Sequence, residues 1–259
     1  MKKVTIKKIL LKKNKIPIVC TTAYSKAIAK IADKYCDIIL VGDSLGMVLY
    51  GMKSTRDIKI ETMIHHAKTV KSFSKKSLVV FDMPYKTYSN KFMAYKNAKR
   101  VMKITKCDAI KLEGGKKIAN IIKYLTKKKI PVMGHVGLLP QLSTNFKVKG
   151  KNFIQEEQIL RDARAVSESG VFAIVIECVV ERLAKKITKI ISVPTIGIGA
   201  SKYCDGQIIV SDDMLGLSDL SPRFVKEYVN LKLIIEKSIK KYSRDVKHRR
   251  FPSNKNVYK

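Results

Sequence analysis

The chain has 259 residues, 46% of them hydrophobic, enough for one substantial core. No apolar run approaches the ~20 residues of a membrane-spanning helix, and lysines interrupt the basic start MKKVTIKKILLKKNK too often for a secretory leader, so a cytoplasmic chain with no membrane partner is expected. A net charge of +32 would suit a nucleic-acid binder, but lysine far outnumbers arginine, is spread over nearly every expected helix and has no stacking aromatics interleaved with arginine; this argues against a specific nucleic-acid partner and leaves attraction of an anionic substrate as a by-product.

In chain order the apolar pattern predicts a strand over 16–22, a helix over 25–35, a strand over 38–44 and a helix over 60–73. A strand over 78–83, a helix over 91–106, a strand over 109–113 and a helix over 116–127 follow. The pattern then gives a strand over 132–136, a helix over 156–169, a strand over 172–178 and a helix over 180–190. Strands over 195–198 and 207–210 close the series, with a link at 200–206 too short for a full helix. A last helix over 222–241 has Pro222 at a suitable start. Near-continuous apolar strands separated by helices pair in parallel with both sheet faces covered. About eight of them in a chain of this length predict an α/β fold, the closed (β/α)8 TIM barrel. The whole of 1–259 reads as a single domain with a mobile basic tail from about 244 to 259. Cys20, Cys36, Cys107, Cys178 and Cys204 are scattered and form no C-x-x-C pair, which suits reduced, buried thiols.

Polar residues cluster where the apolar runs stop. Ile38–Val41 runs into Gly42-Asp43-Ser44, Leu78-Val79-Val80-Phe81 into Asp82, and Ala109-Ile110 into Lys111-Leu112-Glu113. Val132-Met133-Gly134 reaches His135, and Ala173-Ile174-Val175-Ile176 reaches Glu177. In a barrel these strand ends share the face on which active sites are built. Each residue also has a plain structural reading. Ser44 and Asp82 could cap the helices that follow, Lys111 and Glu113 could be a structural pair, and His135 could be a satisfied core histidine. Glu177, inside an apolar run, is hardest to place as structure, because an unpaired carboxylate there carries a large desolvation cost.

The residue types restrict the chemistry. Asp43, Asp82 and Glu113 offer oxygen ligands only, with no neighbouring Cys or paired His, which favours a hard cation, Mg²⁺ before Mn²⁺, over zinc. A 2-oxo acid can chelate such an ion, which then favours loss of the neighbouring proton. Lys111 can hold the carboxylate or the developing oxyanion. Glu177 is placed to be the base, since an apolar setting disfavours an ionised carboxylate.

These stretches resemble the ketopantoate hydroxymethyltransferase (3-methyl-2-oxobutanoate hydroxymethyltransferase) family. The motifs are TAYS from Thr22, VGDSLGMVLYG from Val41, ST from Ser54, FDMP from Phe81, IKLEGG from Ile110 and PVMGHVGLLPQ from Pro131. IECV from Ile176, PTIGIGAS from Pro194, CDGQIIVSDDMLGL from Cys204 and the proline of RRFP at Pro252 complete the set, in family order over almost the whole chain. The resemblance implies a barrel of the phosphoenolpyruvate/pyruvate-type superfamily. The reaction it implies moves the one-carbon unit of 5,10-methylenetetrahydrofolate to 3-methyl-2-oxobutanoate, giving 2-dehydropantoate and tetrahydrofolate on the way to pantothenate and coenzyme A. It also implies one magnesium ion per subunit on Asp43, Asp82 and Glu113. Contacts to the oxo acid would come from Asp43, Ser44, Asp82 and Lys111, with His135 lining the pocket and Glu177 as proton acceptor. A homo-oligomer, typically a decamer of paired five-membered rings, is implied too. A carbon–carbon lyase or phosphonomutase on the same scaffold is the competing reading, against which LEGG and Glu177 argue. The chain departs from the family pattern on the presumed folate side. The loop over 142–151 is shorter than usual, Leu139 stands where Thr is common, Ser201 where Gly is usual and Ser211 where His is common.

Overall fold

Eight parallel strands close into a barrel in which each strand pairs with its sequence neighbours and the first with the last. The structure is a computed structural model, and it describes residues 3–143, 146–219 and 222–258. The expected loop over 142–151 includes 144 and 145, which lie outside the described residues, as do the ends of the basic start and of the tail.

The first elements are α1 (Ile6–Leu10), β1 (Ile18–Thr22), α2 (Lys26–Tyr35), β2 (Ile38–Val41) and α3 (Leu45–Tyr50). A 3-10 turn at Thr55–Asp57 leads to α4 (Ile60–Phe73), β3 (Leu78–Asp82), α5 (Lys91–Thr105) and β4 (Ala109–Lys111). A second 3-10 turn at Gly115–Ile118 precedes α6 (Ala119–Lys127), β5 (Val132–Gly137), α7 (Phe153–Glu168), β6 (Ala173–Glu177) and α8 (Glu181–Ile190). β7 (Thr195–Ile198), β8 (Gly206–Ile209), α9 (Ser211–Met214) and α10 (Leu231–Lys247) end the chain. The residues up to Ser211 form one compact unit and those from Asp212 a second. Among the described residues no helix is long and apolar enough to cross a membrane.

Period-two alternation sorts the strand residues into two cores. Ile38, Leu40, Leu78, Val80, Ala109, Met133, Ala173 and Val175 share one buried cluster, the barrel interior. Their neighbours Ile39, Val41, Val79, Phe81, Ile110, Ile174 and Ile176 belong to the other, between strands and helices. Each fully buried large aliphatic side chain contributes about 1.5–3 kcal/mol relative to exposure, so both layers hold the barrel closed. Val4 and Ile9 of the N-terminal segment join the interior cluster at its lower end. All five cysteines are free and buried, as expected.

The boundaries moved where local chemistry overrides periodicity. β1 begins at Ile18 because Pro17 has no N–H to give a ladder. β2 stops at Val41 and Gly42–Ser44 turn away. The helix expected over 116–127 is split, since Gly114 and Gly115 have φ of +150° and +59°, and a Cβ on Gly115 would lie 2.5 Å from the Asp162 carboxyl carbon. α7 starts earlier than expected because Asn152 caps it, accepting the Gln155 N–H at 3.0 Å. The final helix does not start at Pro222; Asn230 caps it by accepting from Leu233 N at 3.0 Å. It continues to Lys247, so the tail expected from about 244 begins inside a helix.

Candidate active site

The parity of the interior places the polar residues. Asp82 continues the inward set of Leu78 and Val80, and Lys111 and Glu113 continue that of Ala109. His135 follows Met133, and Glu177 follows Ala173 and Val175. All five belong to the upper layer of the barrel, at the C-terminal ends of β3 to β6. Asp43 breaks this parity: it lies just beyond β2, on the turn that Gly42 opens. There its backbone N–H reaches Asp82 Oδ2 at 3.5 Å. Asp82 and Lys111 are also register partners across β3 and β4.

These groups meet. Lys111 Nζ donates to both Asp82 oxygens at 2.9 and 2.8 Å and to Glu113 Oε1 at 3.2 Å. Asp43, Asp82 and Glu113, all buried, each present an oxygen within 4.8 Å of the other two. His135 is buried between two carboxylates, with Nδ1 3.2 Å from Glu113 Oε1 and Nε2 3.4 Å from Glu177 Oε2, although neither nitrogen has hydrogen-bond alignment. Glu177 is the most open of the group: its side chain keeps 17% exposure against 1–5% for Asp82, Lys111, Glu113 and His135.

The electrostatics follow from this packing. Burial, and then the negative charges of Asp82 and Glu113, push the Asp43 carboxyl well above the usual range. Burial also raises Asp82, against the pull of Lys111. For Glu113 burial is outweighed by Lys111 and His135, and its carboxyl falls to about 2. Burial would lower Lys111 and His135, but facing carboxylates raise Lys111 well above its ordinary value and His135 to about 9. Four carboxylates thus face two cationic groups, and the surplus negative charge falls on Asp43 and Asp82. Three buried oxygen donors, with more negative charge around them than the facing cations offset, fit a hard divalent cation.

The capping readings fail for both residues that carried them. Ser44 makes no cap hydrogen bond, and its hydroxyl pairs with Tyr24 Oη at 2.8 Å. α5 is capped by Asn90, leaving Asp82 to the site. Three residues that the strand-end pattern does not single out also belong here. Gln141, fully buried on the loop after β5, donates from Nε2 to Asp43 Oδ2 at 2.8 Å and to the Met83 carbonyl at 3.0 Å. Its backbone N–H donates to Glu113 Oε2 at 3.2 Å, and Tyr88 Oη donates to its Oε1 at 2.5 Å. Arg56 Nε holds the Gln141 carbonyl at 2.9 Å while its guanidinium lies 4.7 Å from the centre of the Tyr85 ring. Gln141 stands in the GHVGLLPQ stretch, so its motif was visible although its partners were not. Of the departures, Ser201 is tied to Glu181 at 3.3 Å and Ser211 to Thr22 at 3.2 Å.

A family model described as ketopantoate hydroxymethyltransferase matches residues 3–254. The chain belongs to the ketopantoate hydroxymethyltransferase family. It is accordingly an enzyme. A 3-methyl-2-oxobutanoate hydroxymethyltransferase of Pelagibacter ubique is 54% identical over 247 residues, covering 95% of this chain and 96% of that one. One of Bartonella quintana is 48% identical over 263 residues, covering 100% and 96%. Among solved structures, phosphonopyruvate hydrolase in complex with oxalate and Mg²⁺ superposes with a TM-score of 0.65 at 12% identity, over 99% of this chain and 93% of that one. A 2,3-dimethylmalate lyase, titled a member of the PEP mutase/isocitrate lyase superfamily, gives 0.61 at 14% identity, over 80% and 81%. Those two likenesses establish the TIM-barrel fold of this hydroxymethyltransferase family member, not its reaction.

Proposed function

We propose that this protein transfers the one-carbon unit of 5,10-methylenetetrahydrofolate to 3-methyl-2-oxobutanoate, with water completing the balance, to give 2-dehydropantoate and tetrahydrofolate, the first committed step towards pantothenate. The observation that carries this is the convergence of Asp43, Asp82 and Glu113 beside Lys111 and Glu177 at one barrel mouth, in a chain of this family. Asp43, Asp82 and Glu113 would hold one Mg²⁺ per subunit, which supplies positive charge at the substrate's oxygens and so eases loss of the adjacent proton. Lys111, held protonated by its carboxylates, binds the oxo acid's carboxylate or the charge that develops on its keto oxygen. Asp43, Ser44, Asp82 and His135 complete the walls around that substrate. Water cleaves the methylene carbon's two bonds to the folate nitrogens, releasing tetrahydrofolate and the one-carbon unit at the formaldehyde level. Glu177, the carboxylate nearest to solvent, takes the proton from carbon 3. That carbon bonds to the formaldehyde carbon as its C=O π bond opens, and a proton returns to the oxygen to give the hydroxymethyl group. His135 Nε2 lies 3.4 Å from Glu177 Oε2, beside the proposed base. The folate side is taken to lie near Leu139, Ser201 and Ser211.

The five buried thiols fit a reducing cytoplasm. We place the protein in a homo-oligomer, a decamer by analogy with its family. Support comes from α10, whose Ile235, Ile239 and Val246 recur at helical spacing and stay 43–62% exposed.

The test is product formation by purified protein given 3-methyl-2-oxobutanoate, 5,10-methylenetetrahydrofolate and Mg²⁺, with and without chelator. 2-Dehydropantoate should appear only without chelator; folded, metal-loaded protein yielding none would overturn the reading, and cleavage of oxo acids without folate would replace it with a lyase. Glu177→Gln should abolish exchange of the carbon-3 proton while leaving oxo-acid binding within about three-fold. Exchange at the parent rate would remove Glu177 from the role of base.

A further inference from the structure

Gln141 has four hydrogen-bonding groups and every one is engaged. Its amide nitrogen faces two acceptors, the Asp43 carboxylate at 2.8 Å and the Met83 carbonyl at 3.0 Å. Its amide oxygen faces the Tyr88 hydroxyl at 2.5 Å. The backbone N–H meets Glu113 Oε2 at 3.2 Å and the carbonyl meets Arg56 Nε at 2.9 Å. The amide therefore has one workable orientation, since turning it over would set its oxygen against a carboxylate and a carbonyl. Through these bonds one residue of the loop after β5 touches the turn after β2, the end of β3 and the end of β4, the three places that carry Asp43, Asp82 and Glu113.

From this geometry we infer that Gln141 is a positioning residue for the acidic trio, fixing one oxygen of Asp43 and one of Glu113 so that the remaining oxygens converge on a divalent cation. Tyr88 and Arg56 hold Gln141 itself in place. The inference rests on the metal site proposed above. Asp43 needs such a partner more than its neighbours do: Lys111 bonds Asp82 and Glu113, while among the described residues it is the Gln141 amide that donates to the Asp43 side chain. A neutral donor orients the carboxylate without cancelling the charge that attracts a cation. It also leaves the other Asp43 oxygen available.

The inference is tested by titrating Mn²⁺ into metal-free protein and following the free ion by electron paramagnetic resonance, with a melting curve for each variant. The parent should bind at a site that Asp82→Ala destroys. Gln141→Met, which keeps the side chain's bulk but removes both amide groups, should weaken Mn²⁺ by about ten- to a hundred-fold. Tyr88→Phe, which frees the amide to turn and also removes the hydroxyl's contacts with the Glu113 carbonyl at 3.2 Å and N–H at 3.3 Å, should weaken it by about three- to ten-fold. A Gln141→Met protein that melts lower yet binds Mn²⁺ within about two-fold of the parent would reduce Gln141 to a structural role and overturn the inference. If that variant does not fold, Tyr88→Phe decides on the same criterion. A parent without an Asp82-dependent Mn²⁺ site would instead overturn the metal reading beneath it, so the two failures are distinct.

Discussion

Gly137 ends β5 with φ of +97°, and a Cβ there would stand 2.4 Å from the carbonyl oxygen of Glu177, its register partner on β6. That same carbonyl accepts the Leu138 N–H at 2.8 Å, and the Cys178 N–H is tied to the Ile198 carbonyl at 2.9 Å. The backbone of Glu177 is thus gripped from both sides, by a glycine that no L side chain can replace without strain. Gly137→Ala should push Glu177 outward and lower kcat by about a hundred-fold, the effect expected of a displacement near 1 Å. Unchanged kcat would separate Glu177 from this grip. At this scale the sequence disclosed the charged groups, because Asp82, Lys111, Glu113 and Glu177 interrupt apolar runs. It did not disclose Gln141 or Tyr88: a neutral polar residue on a loop is ordinary, and only three-dimensional proximity makes it a hub.

At the scale of elements, a repeated device holds the lower rim. Asp37, Asp108 and Asp205 each precede a strand, β2, β4 and β8. Each accepts a backbone N–H from the strand before it, from Val19 at 3.0 Å, Val79 at 2.9 Å and Thr195 at 2.8 Å. Each also meets a lysine of the N-terminal segment: Lys12 at 2.6 Å, Lys3 at 2.8 Å and Lys13 at 2.9 Å. Burial alone would raise the Asp108 carboxyl, but Lys3, Lys71 and the Val79 N–H outweigh it and hold it below its ordinary value. A carboxylate held low in the folded state stabilises the fold above the unfolded-chain value of about 3.9, and that contribution is lost as pH falls through the lower folded value. Asp108→Asn should therefore cost about 2 kcal/mol at neutral pH, and its deficit relative to the parent should shrink as the pH is taken below about 4. A deficit equal at pH 7 and pH 3, measured by denaturant unfolding, would assign the loss to packing instead. Element type was legible from periodicity alone for α4, which fills the expected 60–73, and for β7 at 195–198. The short α1 and α3 were not, since five or six residues carry too little period to be seen.

For the molecule as a whole, the eightfold alternation was legible because buried parallel strands have to be apolar throughout. The separation of 212–258 as a second unit was not, since nothing in composition marks that boundary. Ile239→Glu on α10 should convert the proposed assembly to smaller species in light scattering, and an unchanged mass would place the interface elsewhere. The closure of the barrel also bears on how the protein is made. β1 pairs with β8, and Lys13 and Asn14 find Asp205, 192 and 191 residues further along. At ribosomal rates of about 5–20 residues per second, the start of the nascent chain waits about 10–40 seconds for the strand that completes it. During that interval Ile18 and Cys20 have no neighbour on their open side, so chaperone capture of the unfinished polypeptide should concentrate on its first exposed strand.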